Sequence, residues 1–211
     1  MRLRRLKHLE DRLSVVSDLI LKDAVQLKGK WKSFFGNDNP IYIEIGMGKG
    51  NFITTNAINH PSINYIGIEK SDTVTILASE KLKERLPNLI YINSDAKSIE
   101  EYFEDGEVDK IYLNFSDPWP KSRHEKRRLT STHFLLSFSK ILKKDGEIEF
   151  KTDNLGLFEY SISKFEELGF KRLELSYDLH SEKEDVIMTE YETKFSSLGN
   201  KINYVRVLNR E

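Results

Sequence analysis

Short runs of β-branched and aromatic residues alternate along this chain with stretches of helical spacing, and this alternation strongly limits the possible folds. The β-rich runs cover residues 41–45, 65–69, 89–92, 108–113 and 147–151, and the helical stretches cover 51–58, 72–86, 131–142 and 155–168. Strands that alternate with helices predict right-handed βαβ crossovers and a mainly parallel sheet with helices on both faces.

Two further strand-like segments, 170–177 and 202–208, follow the last of these helices. They bring the expected sheet to seven strands in a doubly wound α/β domain with a modified last edge. Ligands of such sheets bind at the carboxyl ends of the strands, near the point where the strand order reverses. The candidates for a site are therefore the residues that directly follow strands: 46–50, Glu69, Asp95, 114–128 and Asp153.

Length and charge agree with one α/β domain. The chain has 211 residues, and 33 Lys and Arg nearly balance 34 Asp and Glu. We expect residues 36–211 to form the domain and residues 1–35 to form a basic arm or helix, in part disordered. Positive charge is concentrated in the first eight residues and again at 121–128, which is typical of a protein that binds a polyanion at one face.

Several classes of site are excluded or disfavoured by composition. Cysteine is absent, which excludes disulfides, thiolate nucleophiles and cysteine-containing zinc sites. The five histidines include no pair at ligand spacing on a predicted helix, so we expect no metal site. No apolar run approaches the roughly 18 residues that span a bilayer, and no apolar signal core follows the basic N-terminus. We therefore expect a soluble, cytoplasmic protein.

Three glycines at alternate positions follow the first strand, in the segment Glu44-Ile45-Gly46-Met47-Gly48-Lys49-Gly50. Glycine lets a ligand approach the backbone closely, and the helix that follows offers free N–H groups. The spacing G-x-G-x-G differs from the dinucleotide fingerprint G-x-G-x-x-G, so this loop alone is weak evidence for a nucleotide site. Two acids strengthen it: Glu69 ends the second strand, where a carboxylate can bind both ribose hydroxyls, and Asp95 follows the third strand, near the expected adenine.

An acid in a proline-stiffened turn precedes a run of cations at 116–129, Ser-Asp-Pro-Trp-Pro-Lys-Ser-Arg-His-Glu-Lys-Arg-Arg-Leu. The prolines exclude a position inside a helix or sheet and predict a rigid loop. A ring for stacking, an acid that accepts from a base edge and cations for phosphates are the parts of a nucleotide site. The alternative is a solvated charged loop without a ligand.

The glycine loop with its two acids resembles the cofactor site of class I S-adenosylmethionine-dependent methyltransferases, which have a Rossmann-like fold. A nicotinamide enzyme is the main alternative, but an acid at Glu44 suits the cationic amino-acid end of S-adenosylmethionine better than a pyrophosphate. The loop at 116–129, Lys151-Thr152-Asp153-Asn154 and Thr189-Glu190-Tyr191-Glu192-Thr193-Lys194-Phe195 are similar to the motifs of the bacterial tRNA (guanine-N7-)-methyltransferase family. The resemblance covers about residues 40–208.

This resemblance implies methyl transfer from S-adenosylmethionine to N7 of a guanosine in the tRNA variable loop, at tRNA position 46. It implies that Asp117 is the catalytic residue. The implied cofactor-binding residues are Glu44, Gly46, Gly48, Gly50, Glu69, Asp95 and Asp117. The implied substrate-binding and tRNA-binding residues are Lys121, Arg123, His124, Glu125, Lys126, Arg127, Arg128, Asp153, Thr189, Glu190, Tyr191 and Glu192. The expected partner is tRNA, with no metal and no membrane, and the expected state is a monomer or homodimer.

Alternatives remain open at the level of the sequence. The activity could be methylation of another nucleobase nitrogen, or the chain could be an RNA-binding module that has the fold without catalysis. Asp153 could be only a helix N-cap, and Thr189 with Glu192 also forms the pattern of a capping box. Glu44 could simply pair with a lysine or a helix terminus. Trp31, Phe34 and Phe35 are expected to pack in the core.

Overall fold

Eight strands form one mixed sheet in the computed structural model, which describes residues 8–82 and 84–210. The strands are β1 (Ile20–Leu21), β2 (Ile41–Ile45), β3 (Asn64–Glu69), β4 (Leu89–Asn93), β5 (Val108–Asn114), β6 (Leu142–Thr152), β7 (Lys171–Ser176) and β8 (Asn203–Leu208). The α-helices are α1 (Leu9–Val15), α2 (Trp31–Phe35), α3 (Asn51–Asn59), α4 (Asp72–Glu80), α5 (Ile99–Tyr102), α6 (Thr132–Ile141), α7 (Leu155–Glu167), α8 (Leu179–Glu182) and α9 (Glu190–Ser196). Three 3₁₀ turns complete the assignment: Val25–Leu27, Ala96–Ser98 and Ser122–Arg127.

The strand order is β1-β4-β3-β2-β5-β6-β8-β7. All neighbours are parallel except β6 with β8 and β8 with β7, which are antiparallel. The predicted α/β architecture, with a mainly parallel sheet and a modified last edge, is confirmed. The chain runs outward from β2 through β3 to β4 and then returns to the other side of β2 with β5, so the strand order reverses beside β2.

The sheet has one strand more than the seven that the sequence predicts. The additional strand β1 contains only two residues, which is too short to show an alternating pattern. Its register places Ile20 beside Tyr91 at the outer side of β4. Several short elements were also not predicted, namely α1, α2, α5, α8 and the three 3₁₀ turns. Two predicted elements have different ends: α4 ends at Glu80 instead of residue 86, and β6 begins at Leu142 instead of residue 147.

Side-chain alternation along the central strands supplies two separate cores. Ile43 and Ile66 belong to a large cluster that includes residues of α5, α6 and α7. Tyr65, the residue before Ile66 in β3, belongs to a second cluster with residues of α3 and α4. Because successive side chains of a strand point to opposite faces, these clusters lie on the two sides of the sheet. Helices on both faces are therefore confirmed.

Residues before β2 pack onto the same sheet. Trp31 is fully buried, stacks on Phe103 at a centroid distance of 5.4 Å and donates its indole N–H to the Tyr102 carbonyl at 2.8 Å. The predicted core position of Trp31 is confirmed, while Phe34 remains 38% exposed. Residues 1–7 of the expected basic arm lie outside the described residues, and the boundary after residue 35 stays a prediction. Within the described ranges, no helix is long and apolar enough to cross a membrane.

Candidate active site at the carboxyl ends of the strands

The segments that follow β2, β3, β4 and β5 line one cavity of about 490 Å³ at the point where the strand order reverses. Parallel strands bring their carboxyl ends to the same edge of a sheet, and ligands of doubly wound sheets bind there. The predicted site residues in the wall of this cavity are Gly46, Glu69, Asp95, Asp117 and Arg127. A second cavity of about 220 Å³ adjoins it and shares Gly46, Asn114 and Phe115 with it.

The glycine loop presents open backbone to these cavities. Gly46 and Gly48 have φ angles of 78° and 57°, and a Cβ atom at either position would meet no atom of the described chain within 4 Å. A ligand can therefore approach the backbone closely at both positions. Gly50 differs, because a Cβ atom there would lie 3.0 Å from the Tyr91 hydroxyl. Glycine at this position therefore allows close packing against Tyr91 of β4. The Gly46 N–H donates to the Ile68 carbonyl at 2.8 Å, which ties the loop to β3.

The carboxylate of Glu69 is held by backbone donors at the end of β3. Its two oxygens accept from the Ser71 N–H at 2.9 Å and from the Gly48 N–H at 3.3 Å. Burial raises the pKa of Glu69, and these two hydrogen bonds oppose that rise. The arrangement fixes an acceptor at the cavity wall where a ribose with two hydroxyls can bind.

Glu44 is a buried carboxyl with an unfilled hydrogen-bonding position. It is 1% exposed, and its Oε1 accepts from the side-chain amide of Asn114 at 2.9 Å. Burial raises the pKa of Glu44 to about 8, against the opposing effects of Asn114, the Lys151 ammonium and the backbone N–H of Ile53 at the start of α3. Neither Glu44 Oε2 nor Asn114 Oδ1 has a hydrogen-bond partner among the described residues. Both residues line the smaller cavity, so this pair of acceptors fits a cationic group with several N–H donors.

Asp95 and Asp117 are exposed acids at the mouth of the larger cavity. Asp95 caps the 3₁₀ turn after β4, since its Oδ1 accepts from the Lys97 N–H at 3.0 Å. Asp117 lies in the predicted loop after β5, between Phe115 at φ 51° and Trp119 at φ 39°. Non-glycine residues rarely adopt this left-handed conformation, and such strain clusters at functional sites.

The cationic run after this loop divides into solvated and packed members. Lys121, Arg123 and Lys126 are exposed, and none of them forms an ion pair within residues 8–82 and 84–210. Arg127 is also exposed and lies over the Trp119 ring, with its guanidinium carbon 4.8 Å from the ring centroid. His124 packs edge-on against the same ring at 5.6 Å.

Glu125 and Arg128, both predicted to bind tRNA, make contacts inside the protein. Glu125 accepts from the Tyr160 hydroxyl at 2.8 Å. Arg128 donates to the carbonyls of Pro118 and Trp119, each at 3.1 Å.

The segment at 189–192 closes one side of the smaller cavity. Thr189, Glu190 and Tyr191 line it. Glu190 pairs with Lys49 of the glycine loop at 3.2 Å and also with Lys81. The Tyr191 hydroxyl donates to Asp153 at 3.3 Å.

The two helices beside this cavity, α7 and α9, begin at different kinds of cap. The capping box of Thr189 and Glu192 at the start of α9 is confirmed. The alternative that Asp153 is the N-cap of α7 is wrong, because the side chain of Asn154 accepts from the Leu157 N–H instead.

Glu192 is not at a surface, in spite of its predicted substrate-binding role. It is fully buried and pairs with the equally buried ammonium of Lys151 at 2.7 Å. Lys151 also donates to the Ile187 carbonyl at 3.2 Å, and His180 lies 3.2 Å from the other oxygen of Glu192. The supporting roles of Lys151 and Asn114 were not identified from the sequence. Both residues lie at the carboxyl ends of strands, β6 and β5, which is the signal that could have identified them.

Comparison with known proteins decides the family. A family model described as "Putative methyltransferase" matches residues 38–205. The tRNA (guanine-N(7)-)-methyltransferase of Bacillus subtilis (strain 168) is 50% identical over 204 residues, which are 96% of this chain and 96% of that protein. The protein of the same name from Bacillus cytotoxicus is 52% identical over 204 residues, 96% of this chain and 94% of that protein. The chain belongs to the tRNA (guanine-N7-)-methyltransferase family.

Solved structures support the same fold for this family member. The 16S rRNA methyltransferase KamB matches with a TM-score of 0.67 and 14% identity, over 87% of this chain and 94% of that chain. An antibiotic-related methyltransferase matches with a TM-score of 0.66 and 21% identity, over 87% of this chain and 94% of that chain. A 16S rRNA (adenine(1408)-N(1))-methyltransferase, determined with its cosubstrate SAM, matches with a TM-score of 0.61 and 15% identity, over 87% of this chain and 91% of that chain. At these identities the likeness concerns the fold, which is that of class I methyltransferases.

Proposed function

We propose that this chain transfers a methyl group from S-adenosylmethionine to N7 of a guanosine in the variable loop of tRNA. The observation that carries the proposal is the pair of unpartnered buried acceptors on Glu44 and Asn114, which lies beside the exposed acid Asp117 in a member of this family. A buried polar atom without a partner is uncommon in a folded protein and fits a ligand with complementary donors.

The described residues fit the cofactor. Glu44 and Asn114 would hold its ammonium group, and Glu69 would accept from its ribose hydroxyls. The open backbone at Gly46 and Gly48 leaves room for the amino-acid end, and Asp95 lies at the expected adenine end. The cofactor supplies a methyl group made electrophilic by the adjacent sulfonium.

The chemistry at guanine makes orientation the main requirement. Guanine N7 carries a free lone pair, so no residue has to remove a proton from the nucleophile. Asp117 can accept from the guanine N1–H and 2-amino group, which turns N7 toward the methyl group and balances the positive charge that develops on the base. An adenine lacks this donor pair and would leave the Asp117 carboxylate without its partners.

The exposed cations beside Asp117 suit tRNA phosphates. Arg123 and Lys126 are exposed on the 3₁₀ turn Ser122–Arg127, and Lys121 is exposed at the residue that precedes it. Phosphate contacts by such side chains are electrostatic and weaken steeply with salt. A cytoplasmic location and a monomeric or homodimeric state stay predictions.

The proposal is tested by incubating the protein with labelled S-adenosylmethionine and unmodified tRNA transcripts and by identifying the methylated nucleoside by mass and chromatography. We expect 7-methylguanosine, and a loss of roughly a hundredfold or more in kcat for Asp117→Ala. Asp145→Asn is the matched control, because Asp145 is an exposed acid at the start of β6, away from the cavity. Absence of 7-methylguanosine with every tRNA, or full activity of Asp117→Ala, would contradict the proposal.

A further inference from the structure

The side chain of Arg128 turns back onto the loop that carries Asp117. Its Nε donates to the Pro118 carbonyl and its Nη2 to the Trp119 carbonyl, each at 3.1 Å. The flat face of the same guanidinium lies over the ring of Tyr160 in α7, and its central carbon is 4.2 Å from the ring centroid. Arg128 therefore joins the loop to a helix on one face of the sheet.

The loop requires such a contact because its own hydrogen bonding is limited. Pro118 and Pro120 have no N–H group, and Trp119 between them adopts φ 39°. A residue strained in this way costs on the order of 1–3 kcal/mol and persists only where its surroundings hold it. A guanidinium can donate two N–H groups in a fixed fork while its plane stacks on a ring, and a lysine ammonium cannot do both.

The ring beneath Arg128 is itself fixed. The Tyr160 hydroxyl donates to Glu125 at 2.8 Å, and Glu125 lies in the 3₁₀ turn immediately before Arg128. Arg128, Tyr160 and Glu125 thus form a closed set of contacts between α7 and the segment that follows Asp117.

Three of the neighbouring cations differ from Arg128 in each of these respects, whereas Arg127 shares the stacking on a ring, with its guanidinium carbon 4.8 Å from the centroid of Trp119. Lys121, Arg123 and Lys126 are exposed, whereas Arg128 is half-buried. Within the described part of the chain the three exposed side chains have no hydrogen-bond acceptor, so their donors are available to phosphates.

We propose that Arg128 is a positioning residue, which holds the Asp117 loop in its active shape, and that the phosphate contacts of the cationic run belong to Lys121, Arg123 and Lys126. This assignment rests on the proposed function where activity is measured. It separates residues of the same charge within one short motif by what each side chain contacts.

The test compares Arg128→Gln with Arg123→Gln, since each variant removes one positive charge from the same run. For Arg123→Gln we expect a higher KM for tRNA, a nearly unchanged kcat and a salt dependence of tRNA binding whose log–log slope falls by about one. For Arg128→Gln we expect kcat to fall by about tenfold or more, because a small misplacement of an orienting residue is costly, with an unchanged salt slope. Arg128→Lys keeps the charge and loses the fork, so we expect it to resemble Arg128→Gln in kcat.

Two measurements keep the test decisive. Calorimetric binding of S-adenosylmethionine shows that the variants are folded, and hydrogen exchange in the peptide that contains residues 115–121 should be faster in Arg128→Gln and Arg128→Lys than in Arg123→Gln. An Arg128→Gln protein with a reduced salt slope, an unchanged kcat and unchanged exchange would overturn the assignment. If the wild-type protein makes no 7-methylguanosine, the proposed function fails. The salt dependence of tRNA binding and the hydrogen exchange of the loop still decide the role of Arg128 in that case.

Discussion

The buried carboxyl group of Glu44 should make the cofactor-free protein less stable as pH rises. Its pKa is raised from 4.5 to about 8 in the folded protein, and this difference corresponds to about 5 kcal/mol, since one pKa unit is worth about 1.36 kcal/mol. The folded state binds this proton more tightly than the unfolded state, so the stabilising contribution is complete below pH 4.5 and is lost as pH rises to about 8.

Urea unfolding of the cofactor-free protein between pH 5.5 and 7.5 measures this contribution. We expect the free energy of unfolding of the wild type to fall by about 1.4 kcal/mol per pH unit relative to Glu44→Gln, in which the group cannot ionise. Other groups titrate in both proteins and cancel in the comparison, including Glu69, whose pKa is also raised. Glu101→Gln, at an exposed acid on α5, is the control and should keep the wild-type slope.

Cofactor binding should show the opposite dependence on pH. An ammonium group at Glu44 stabilises the ionised carboxylate, so Kd for S-adenosylmethionine should fall by up to about tenfold per pH unit from pH 6 to 7.5, before the α-amino group loses its own proton near pH 7.7–8.0. Calorimetry at pH 7 in buffers of different ionisation enthalpy should detect the release of close to one proton for each cofactor bound. Equal stability slopes in wild type and Glu44→Gln, or binding without proton release, would refute the reasoning.

The remaining predictions concern stability and use urea unfolding. Lys151→Met leaves the buried carboxylate of Glu192 without its ammonium partner and should lower the free energy of unfolding by about 3–5 kcal/mol. Most of this loss should be recovered in the double variant Lys151→Met/Glu192→Gln. A loss below about 1 kcal/mol in Lys151→Met would contradict this account. Gly67→Ala should destabilise by about 1–3 kcal/mol, because the added Cβ atom would overlap the sulfur of Met47 and would lie 2.9 Å from the ring of Tyr91. The matched control is Gly156→Ala in α7, where the added Cβ atom would meet only the Asn154 side chain, at 3.5 Å. It should be neutral or stabilising by up to about 1 kcal/mol, and equal losses in the two variants would argue against the steric explanation.

Most of the sheet could be predicted because its central strands are buried on both faces and therefore appear as short, almost continuous apolar runs. The bounds of β2 agree with the prediction, and those of β3, β4 and β5 differ from it by one residue. β1 could not be predicted, since its two residues carry no period and its pairing depends on β4, about 70 positions away in the chain. The 3₁₀ turn Ser122–Arg127 could not be predicted for a related reason: its residues are polar or charged and have no apolar face to reveal a helical period.

The acids of the candidate site were predictable in location but not in environment. Parallel topology brings strand ends together, which is why Gly46, Glu69, Asp95 and Asp117 line one cavity. The amide that partners Glu44 belongs to Asn114, 70 residues further along the chain, and no local pattern joins the two. The degree of burial is likewise invisible in the sequence, although it is the main cause of the raised pKa of Glu44.

Cations near a site for an anionic ligand can be assigned to that ligand only after their acceptors within the protein have been identified. Arg128 donates to two loop carbonyls, and Lys151 donates to Glu192 and to the Ile187 carbonyl. Both cations therefore shape the walls of the cavity, Arg128 on the side of Asp117 and Lys151 on the side of Thr189. The field of Lys151 also reaches Glu44 and favours its ionised form. One buried ammonium thus acts on the carboxylate proposed for the cofactor and on the helix that closes the cavity, so that changing it should alter cofactor affinity as well as stability.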